Sequence, residues 1–345
     1  MILDKSLVKE IIKNNYSLGE IISINPLESG HESDNVKVET TKGDFVIKYF
    51  SQKAAIMREK IILQDLLFSK GVKLPQPIRT VTNDVLIDYG PSETIAIQSF
   101  IPGKAIVLRD EKPEKMFSLM SWFGKHLGEF HYLSKSITES EIKMRIEGKD
   151  FFDLTSGLNW IIEIYEKADI LLPPHKKNQK ILKEFEIFLN ERDELFKNDL
   201  TVGILHSDLK PGDFFVENNS LTGILDFNGA SYSHLMNELG TWIMYTSLYK
   251  RENKAAFQDF IKSYLENSKI PLQELKFLPI FFKRRAFVQY FYFAFRIYNN
   301  DTQGLGEEET NYQGFNDGIN LIESSLAIHP NYFYDLALPV VGLEE

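Results

Sequence analysis

Between Ile204 and Phe227 the chain reads ILHSDLKPGDFFVENNSLTGILDF, with three aspartates, Asp208, Asp213 and Asp226, beside or at the ends of apolar runs. Apolar residues flank His206 and Asp208, fill 214–216 and lead up to Asp226, so the polar groups should project from the ends of buried strands. A hairpin joining 213–216 to 221–225 through the polar turn at 217–220 would bring the three carboxylates to one place. Carboxylates gathered that closely repel, and a divalent cation or a shared proton must offset the charge. Oxygen ligands favour Mg2+, which takes one or two carboxylates plus substrate phosphates. In that arrangement Asp208 accepts a proton from an attacking hydroxyl, while Asp213 and Asp226 hold metal on the phosphates of a nucleotide. Singly, each aspartate reads equally well as a solvated loop residue. The joint spacing, His206 two before Asp208 and Asp213 five after it, argues for a site.

Other charged residues fit the same chemistry. Lys48 is the only charge in FVIKYF, an otherwise apolar strand, and a buried ammonium needs a partner unless it snorkels from the strand end. Lys210, two residues after Asp208, either steadies a transferring phosphoryl group or is solvated. Arg285 and Arg296 stand eleven residues apart on an aromatic helix, about three turns, and can face the same cleft, where they would suit a carboxylate on the acceptor. The remaining histidines, His31, His126, His131, His175, His234 and His329, have no paired metal-ligand spacing, so a zinc site is not expected.

These residues must be positioned by a sheet-rich first part and a helical second part. Residues 1–16 suggest a short amphipathic helix, and 20–50 suggest strands turning at 41–44. Apolar positions at helical spacing over 53–70 end at Gly71, and two more strand-like pieces lie at 84–89 and 94–100. From about 117 the pattern is helical, at 117–135, 156–169, 178–197, 236–249, 254–267, 277–299 and 315–327, interrupted by the strand island at 202–226. The expected organisation is an N-terminal lobe over 1–100, a hinge at 101–104 (Ile-Pro-Gly-Lys) and a helical C-terminal lobe over 105–345.

The 345 residues carry 39 Lys+Arg against 49 Asp+Glu, a formal charge of −10. That balance argues against nucleic acid or an anionic membrane as the main partner. With no cysteine, disulfides, zinc thiolates and thiol nucleophiles are excluded, and a reducing cytoplasm fits. The most lipid-like run, 286–295, is about half of the ~20 residues a membrane span needs.

HSDLKPGD followed by ILDF resembles the H-x-D-x-x-x-x-N and D-F elements of the aminoglycoside phosphotransferase and homoserine kinase superfamily, which shares the protein-kinase-like fold. Residues 16–50 are similar to the opening of type II homoserine kinases, and FIPGK at 100–104, LGEFH at 127–131 and 278–299 also resemble segments of that family. The resemblance implies an α+β bilobal fold and an ATP-dependent O-phosphotransferase that uses Mg2+ and a small-molecule hydroxyl acceptor. It implies Glu59 as the partner that orients Lys48 toward the phosphates, and Ser29-Gly30 in a loop over those phosphates. Gln98 to Phe100 fall at the hinge, where backbone groups would meet the nucleotide base. His206 would brace the loop of Asp208, and Glu238 would lock that loop to a helix.

Three features depart from the family pattern. Asp213 replaces the usual Asn, which adds a negative charge near phosphate or changes the metal preference. Asn228-Gly229-Ala230 after Asp226-Phe227 is nonstandard and places Asn228 where it could touch the acceptor. Gln289-Tyr290-Phe291 lacks a further arginine common in type II homoserine kinases. Homoserine leads as acceptor over aminoglycosides, choline-like alcohols and methylthioribose, and a nucleotide-binding regulatory module without catalysis is the competing class. A protein kinase is disfavoured, because no A-P-E-like segment follows Asp226.

Overall fold

The computed structural model describes residues 3–27, 33–106, 117–145, 158–172, 176–195, 198–302 and 310–342. In chain order its first elements are α1 Lys5–Asn15, β1 Ile21–Pro26, β2 Ser33–Thr40, β3 Gly43–Phe50 and α2 Ala54–Ser69. Next come β4 Pro77–Ile78, β5 Ile87–Gly90, β6 Glu93–Ser99, β7 Lys104–Ala105, α3 Met120–Ser134 and α4 Glu139–Arg145. The middle of the chain supplies α5 Leu158–Glu166, α6 Ala168–Leu171, α7 Lys176–Leu195, β8 Val202–Leu205, β9 Phe214–Glu217, β10 Ser220–Ile224 and β11 Ser231–His234. The last are α8 Leu235–Thr246, α9 Lys254–Ser268, α10 Leu278–Tyr298, α11 Asn311–Leu326 and α12 Tyr332–Val341.

Two compact units result, and neither is continuous in sequence: the first takes 1–106, 139–149 and 212–230, the second 107–138, 150–211 and 231–345. Backbone hydrogen bonds explain why the 212–230 stretch joins the first unit. The hairpin β9–β10 pairs with β7, the Ile106 amide donates to the Phe214 carbonyl at 3.0 Å, and the Ile224 amide donates to that of Lys73 at 2.9 Å.

In the first unit β1, β2, β3, β6 and β4 lie side by side, with β5 also on β6, and all the pairings are antiparallel. Strand alternation sends Phe45, Ile47 and Tyr49 of β3 and Ile95 and Ile97 of β6 into a core shared with Val8, Ile11 and Ile12 of α1. Asp4 caps α1, its carboxylate accepting from the amides of Ser6 and Leu7, both at 2.8 Å. The β9–β10 hairpin turns through Asn218 and Asn219 at φ 50° and 60°, the left-handed pair that a tight two-residue turn requires and that Asn tolerates.

In the second unit β8 pairs with β11, residue Leu205 opposite Ser231, and leads directly into the loop of Asp208. Its core is aromatic: Phe185 and Phe188 of α7 pack on Phe287 and Phe291 of α10, and Tyr290 of α10 stacks on Phe315 of α11 with ring centroids 4.8 Å apart. Helix α3 approaches α9 closely through Gly124 and Gly128, where an added Cβ would strike the carbonyl oxygens of Phe260 and Tyr264. Among the described residues no helix is long and apolar enough to cross a membrane.

Candidate functional site

The residues of chemical interest fall into two groups, one in each unit. In the first unit, the face of β3 and β6 opposite α1 carries Lys48, Phe50, Ala96 and Gln98. Across from it α2 presents Met57, Lys60, Ile61 and Gln64, which at helical spacing share one side. With Phe227 and Asn228 these residues line a shallow pocket. Its described lining holds two lysines, Lys48 and Lys60, and neither Asp nor Glu, so an anion suits it.

Lys48 is half-buried; its ammonium lies 3.5 Å from Asn228 Oδ1 and 5.6 Å from the centre of the Phe50 ring. Asn228, named for a contact with the acceptor, is among the residues that line the Lys48 pocket. Glu59, expected to partner Lys48, is half-buried on α2, next in sequence to Lys60. Gln98 reaches the pocket and accepts from Gln64 Nε2 at 3.5 Å. Phe100 stands just beyond β6. Its amide is already committed to the Asp44 carbonyl at 3.0 Å, and its ring lies under the Lys37 ammonium at 4.4 Å. Ser29 and Gly30 lie outside the described residues.

Asp213 and Asp226 flank the β9–β10 hairpin, as its predicted pairing requires, and the Leu225 amide donates to the Asp213 carbonyl at 2.8 Å. Asp213 is buried at 6% exposure, whereas Asp226 is exposed and sits in the left-handed region at φ 68°, ψ 48°. A non-glycine residue there carries about 1–2 kcal/mol of backbone cost, a strain that clusters at functional positions. Two carboxylates are what Mg2+ usually takes from protein, so this donor set fits the ion. Among the described residues, however, no three His, Asp or Glu side chains converge to hold a metal, so the expected three-carboxylate cluster is not found.

In the second unit, the loop after β8 is pinned from α8. Glu238 is wholly buried, and its carboxylate accepts from the amides of His206 at 2.6 Å, Ser207 at 3.0 Å and Leu209 at 3.3 Å. Burial pushes its pKa up, against the opposing pull of His206 and the three amides. His206 is itself buried at 1% exposure, so its amide and ring both belong to the interior of the loop. Ser207 takes φ 77°, a second left-handed residue immediately before Asp208.

Asp208 stands half-exposed on this loop with its carboxylate divided. Oδ1 accepts from Arg285 Nη2 at 2.8 Å and from the Tyr245 hydroxyl at 2.7 Å, and that hydroxyl in turn accepts from Arg285 Nη2 at 2.8 Å. Oδ2 lies 3.7 Å from the Lys210 ammonium. Burial lowers and its partners Tyr245 and Asp208 raise the pKa of Arg285, the net being upward, while burial pushes the Tyr245 phenol up to about 12. Arg296 does not join this group. It is 6% exposed and lies within 3.6 Å of the Asp301 carboxylate and 3.1 Å of the Tyr292 hydroxyl, about 16 Å along α10 from Arg285. Tyr245 was not anticipated. It falls seven residues after Glu238, two helical turns, so the same face of α8 that clamps the loop also carries it.

The match to the phosphotransferase enzyme family spans residues 23–276, from β1 past β11 and α9. The chain belongs to that family. The match takes in Lys48, Asp208, Asp213, Asp226 and Glu238 and stops before Arg285 and Arg296. A homoserine kinase of Bartonella tribocorum is 25% identical over 231 residues, 63% of this chain and 63% of the relative's own length. A homoserine kinase of Gluconobacter oxydans is 24% identical over 238 residues, 67% of this chain and 68% of that protein. Among solved structures, an amicoumacin kinase in complex with AMP-PNP, Ca2+ and Ami aligns at a TM-score of 0.64 and 14% identity, covering 93% of each chain. The GDP complex of aminoglycoside 2'-phosphotransferase-IIIa aligns at 0.62 and 17%, covering 93% of this chain and 98% of that one. As expected for a member of this family, the fold is α+β and protein-kinase-like.

Proposed function

We propose that the chain transfers the γ-phosphoryl group of ATP to a hydroxyl of a small amine-bearing metabolite, homoserine being the first candidate. Family membership supports the reaction class. The observation that carries the reading is the Asp208 carboxylate, presented on a loop pinned by Glu238, with one oxygen anchored and the other left on the side of Lys210. In this reading the acceptor hydroxyl gives its proton to Asp208 as its oxygen bonds to the γ-phosphorus. The bond from that phosphorus to the bridging oxygen breaks, and ADP leaves with the electron pair. Lys48 and Lys60 bind phosphate oxygens in the first unit, and Gln98 sits toward the nucleotide base. Asp213 and Asp226 would hold Mg2+, which when bound neutralises phosphate charge. The absence of cysteine suits a cytoplasmic setting.

Homoserine is favoured because the matched relatives from Bartonella tribocorum and Gluconobacter oxydans carry that name. An amino alcohol without a carboxylate is favoured by a different observation. Arg285 is engaged with Asp208 and Tyr245, and Arg296 with Asp301 and Tyr292, so neither arginine is set aside for an acceptor carboxylate. The test is to incubate the enzyme with ATP and Mg2+ and a panel holding homoserine, aminopropanol, choline and aminoglycosides, and to identify phosphorylated products by phosphorus NMR. A phosphomonoester from one acceptor supports the reading. Tight nucleotide binding with no product from any member of the panel would favour the non-catalytic module.

A further inference from the structure

The three contacts among Asp208, Tyr245 and Arg285 close on themselves, each between 2.7 and 2.8 Å. The Tyr245 hydroxyl donates to Oδ1 and accepts from Arg285 Nη2, and the same nitrogen also donates to Oδ1. The three atoms therefore satisfy one another. The three residues come from three elements: the loop after β8, α8 and α10. The environment is graded along the ring, with the Arg285 side chain 14% exposed and that of Asp208 46%. The guanidinium also lies over the Tyr245 ring at 5.4 Å, which fixes its plane. Arg285 Nε is buried with no hydrogen-bond partner, so the fork is held through Nη2, the nitrogen that touches the carboxylate. A buried guanidinium that leaves one donor unsatisfied in order to reach one carboxylate oxygen is poorly explained as a surface ion pair, since such pairs contribute little.

We infer that Tyr245 and Arg285 are positioning residues that fix Oδ1 of Asp208, so that Oδ2 alone faces the acceptor hydroxyl and takes its proton. The inference rests on the reading of Asp208 as the base. Tyr245 does not itself move a proton, because its phenol stays protonated well above neutrality. Oδ2, 3.7 Å from Lys210, is beyond hydrogen-bond length and is the oxygen left open to an incoming donor. Freed from the ring, the carboxylate would rotate about its χ2 bond and share the acceptor between its two oxygens, a broad two-fold torsion with little intrinsic preference. The loss belongs to the rate of the transfer step, since neither residue lies in the nucleotide pocket of the first unit.

The experiment compares Asp208→Asn, Tyr245→Phe, Arg285→Lys and the Tyr245→Phe/Arg285→Lys double variant with the parent, using whichever acceptor of the panel is turned over. Tyr245→Phe removes one oxygen and should lower kcat about ten-fold, with the KM for acceptor and the nucleotide Kd changed less than about two-fold. The double variant should be no slower than the slower single variant, as expected of residues acting as one unit. Arg285→Lys, which keeps the charge and loses the fork, checks the same ring if Tyr245→Phe folds poorly. Unchanged kcat in both single variants, alongside an inactive Asp208→Asn, would overturn the positioning role and leave the base intact. A ten-fold rise in acceptor KM at unchanged kcat in Arg285→Lys would also overturn it, making Arg285 a substrate contact. Turnover by Asp208→Asn would instead remove the reading on which the inference stands.

Discussion

At the scale of single residues, Glu238 carries more of the site than any aspartate. One buried carboxylate accepts three backbone amides of the loop, at 2.6, 3.0 and 3.3 Å, so its loss strands three donors in the interior. At about 1–3 kcal/mol for each unsatisfied group, Glu238→Ala should cost at least about 3 kcal/mol, measured as a lowered midpoint in urea, and should lower kcat as well because the loop is released. His131 offers a pH test in the same unit. It is wholly buried, its Nδ1 is 2.8 Å from the Tyr264 hydroxyl, and burial lowers its pKa to about 3. The unfolded imidazole titrates near 6.5 and binds the proton that the native one refuses, so stability is full above 6.5 and falls as pH drops toward 3. Between pH 6.5 and 5 this amounts to about 2 kcal/mol, so denaturant curves at the two pH values should show a loss smaller by about that amount in His131→Asn than in the parent, the buried His234 contributing alike in both. At this scale the sequence was readable where a residue type stood out against its neighbours, as Lys48 does in FVIKYF and Asp208 after an apolar strand. Tyr245 follows the apolar run Trp242, Ile243 and Met244 in sequence and carried no such contrast.

At the scale of elements, close approach matters more than propensity. Gly124 lies where α3 crosses α9, and a Cβ there would meet the Phe260 carbonyl, with Tyr264 N at 3.1 Å. Backbone cannot yield as a side-chain tip can, so Gly124→Ala should destabilise by about 2–3 kcal/mol; a thermal midpoint within a degree of the parent would show the helices free to separate. The β2–β3 and β9–β10 hairpins were legible because period-two alternation met a turn of Gly or Asn. Three elements were not. β11 is a four-residue strand, SYSH, whose pairing with β8 depends on a partner almost thirty residues away. α12 contains Pro339, which breaks the helical signature even though its Phe333 and Ala337 are fully buried. α4 is short and strongly charged, and the 2.8 Å contact of Glu141 with Lys70 of α2 that holds it is not visible in the local pattern.

At the scale of the whole molecule, sequence order and spatial grouping part company. The stretch from His206 to Phe227 reads as one motif, yet it contributes Asp208 to one compact unit and Asp213 and Asp226 to the other. Hydrogen bonds from 104–106 to 214–216 make that division, and they join segments more than a hundred residues apart. The same folding places Lys60 and Gln64 of α2 on the pocket that Lys48 lines. The nucleotide binding proposed for the first unit and the proton transfer proposed for the second should therefore separate on mutation. The most direct measurement is single-turnover ADP formation by Asp208→Asn, set beside its nucleotide affinity from calorimetry. The account predicts a rate lowered by at least about a thousand-fold with the nucleotide Kd within about two-fold of the parent, because a general base and its positioning act on the transfer step alone. A parent-like rate in that variant would contradict it.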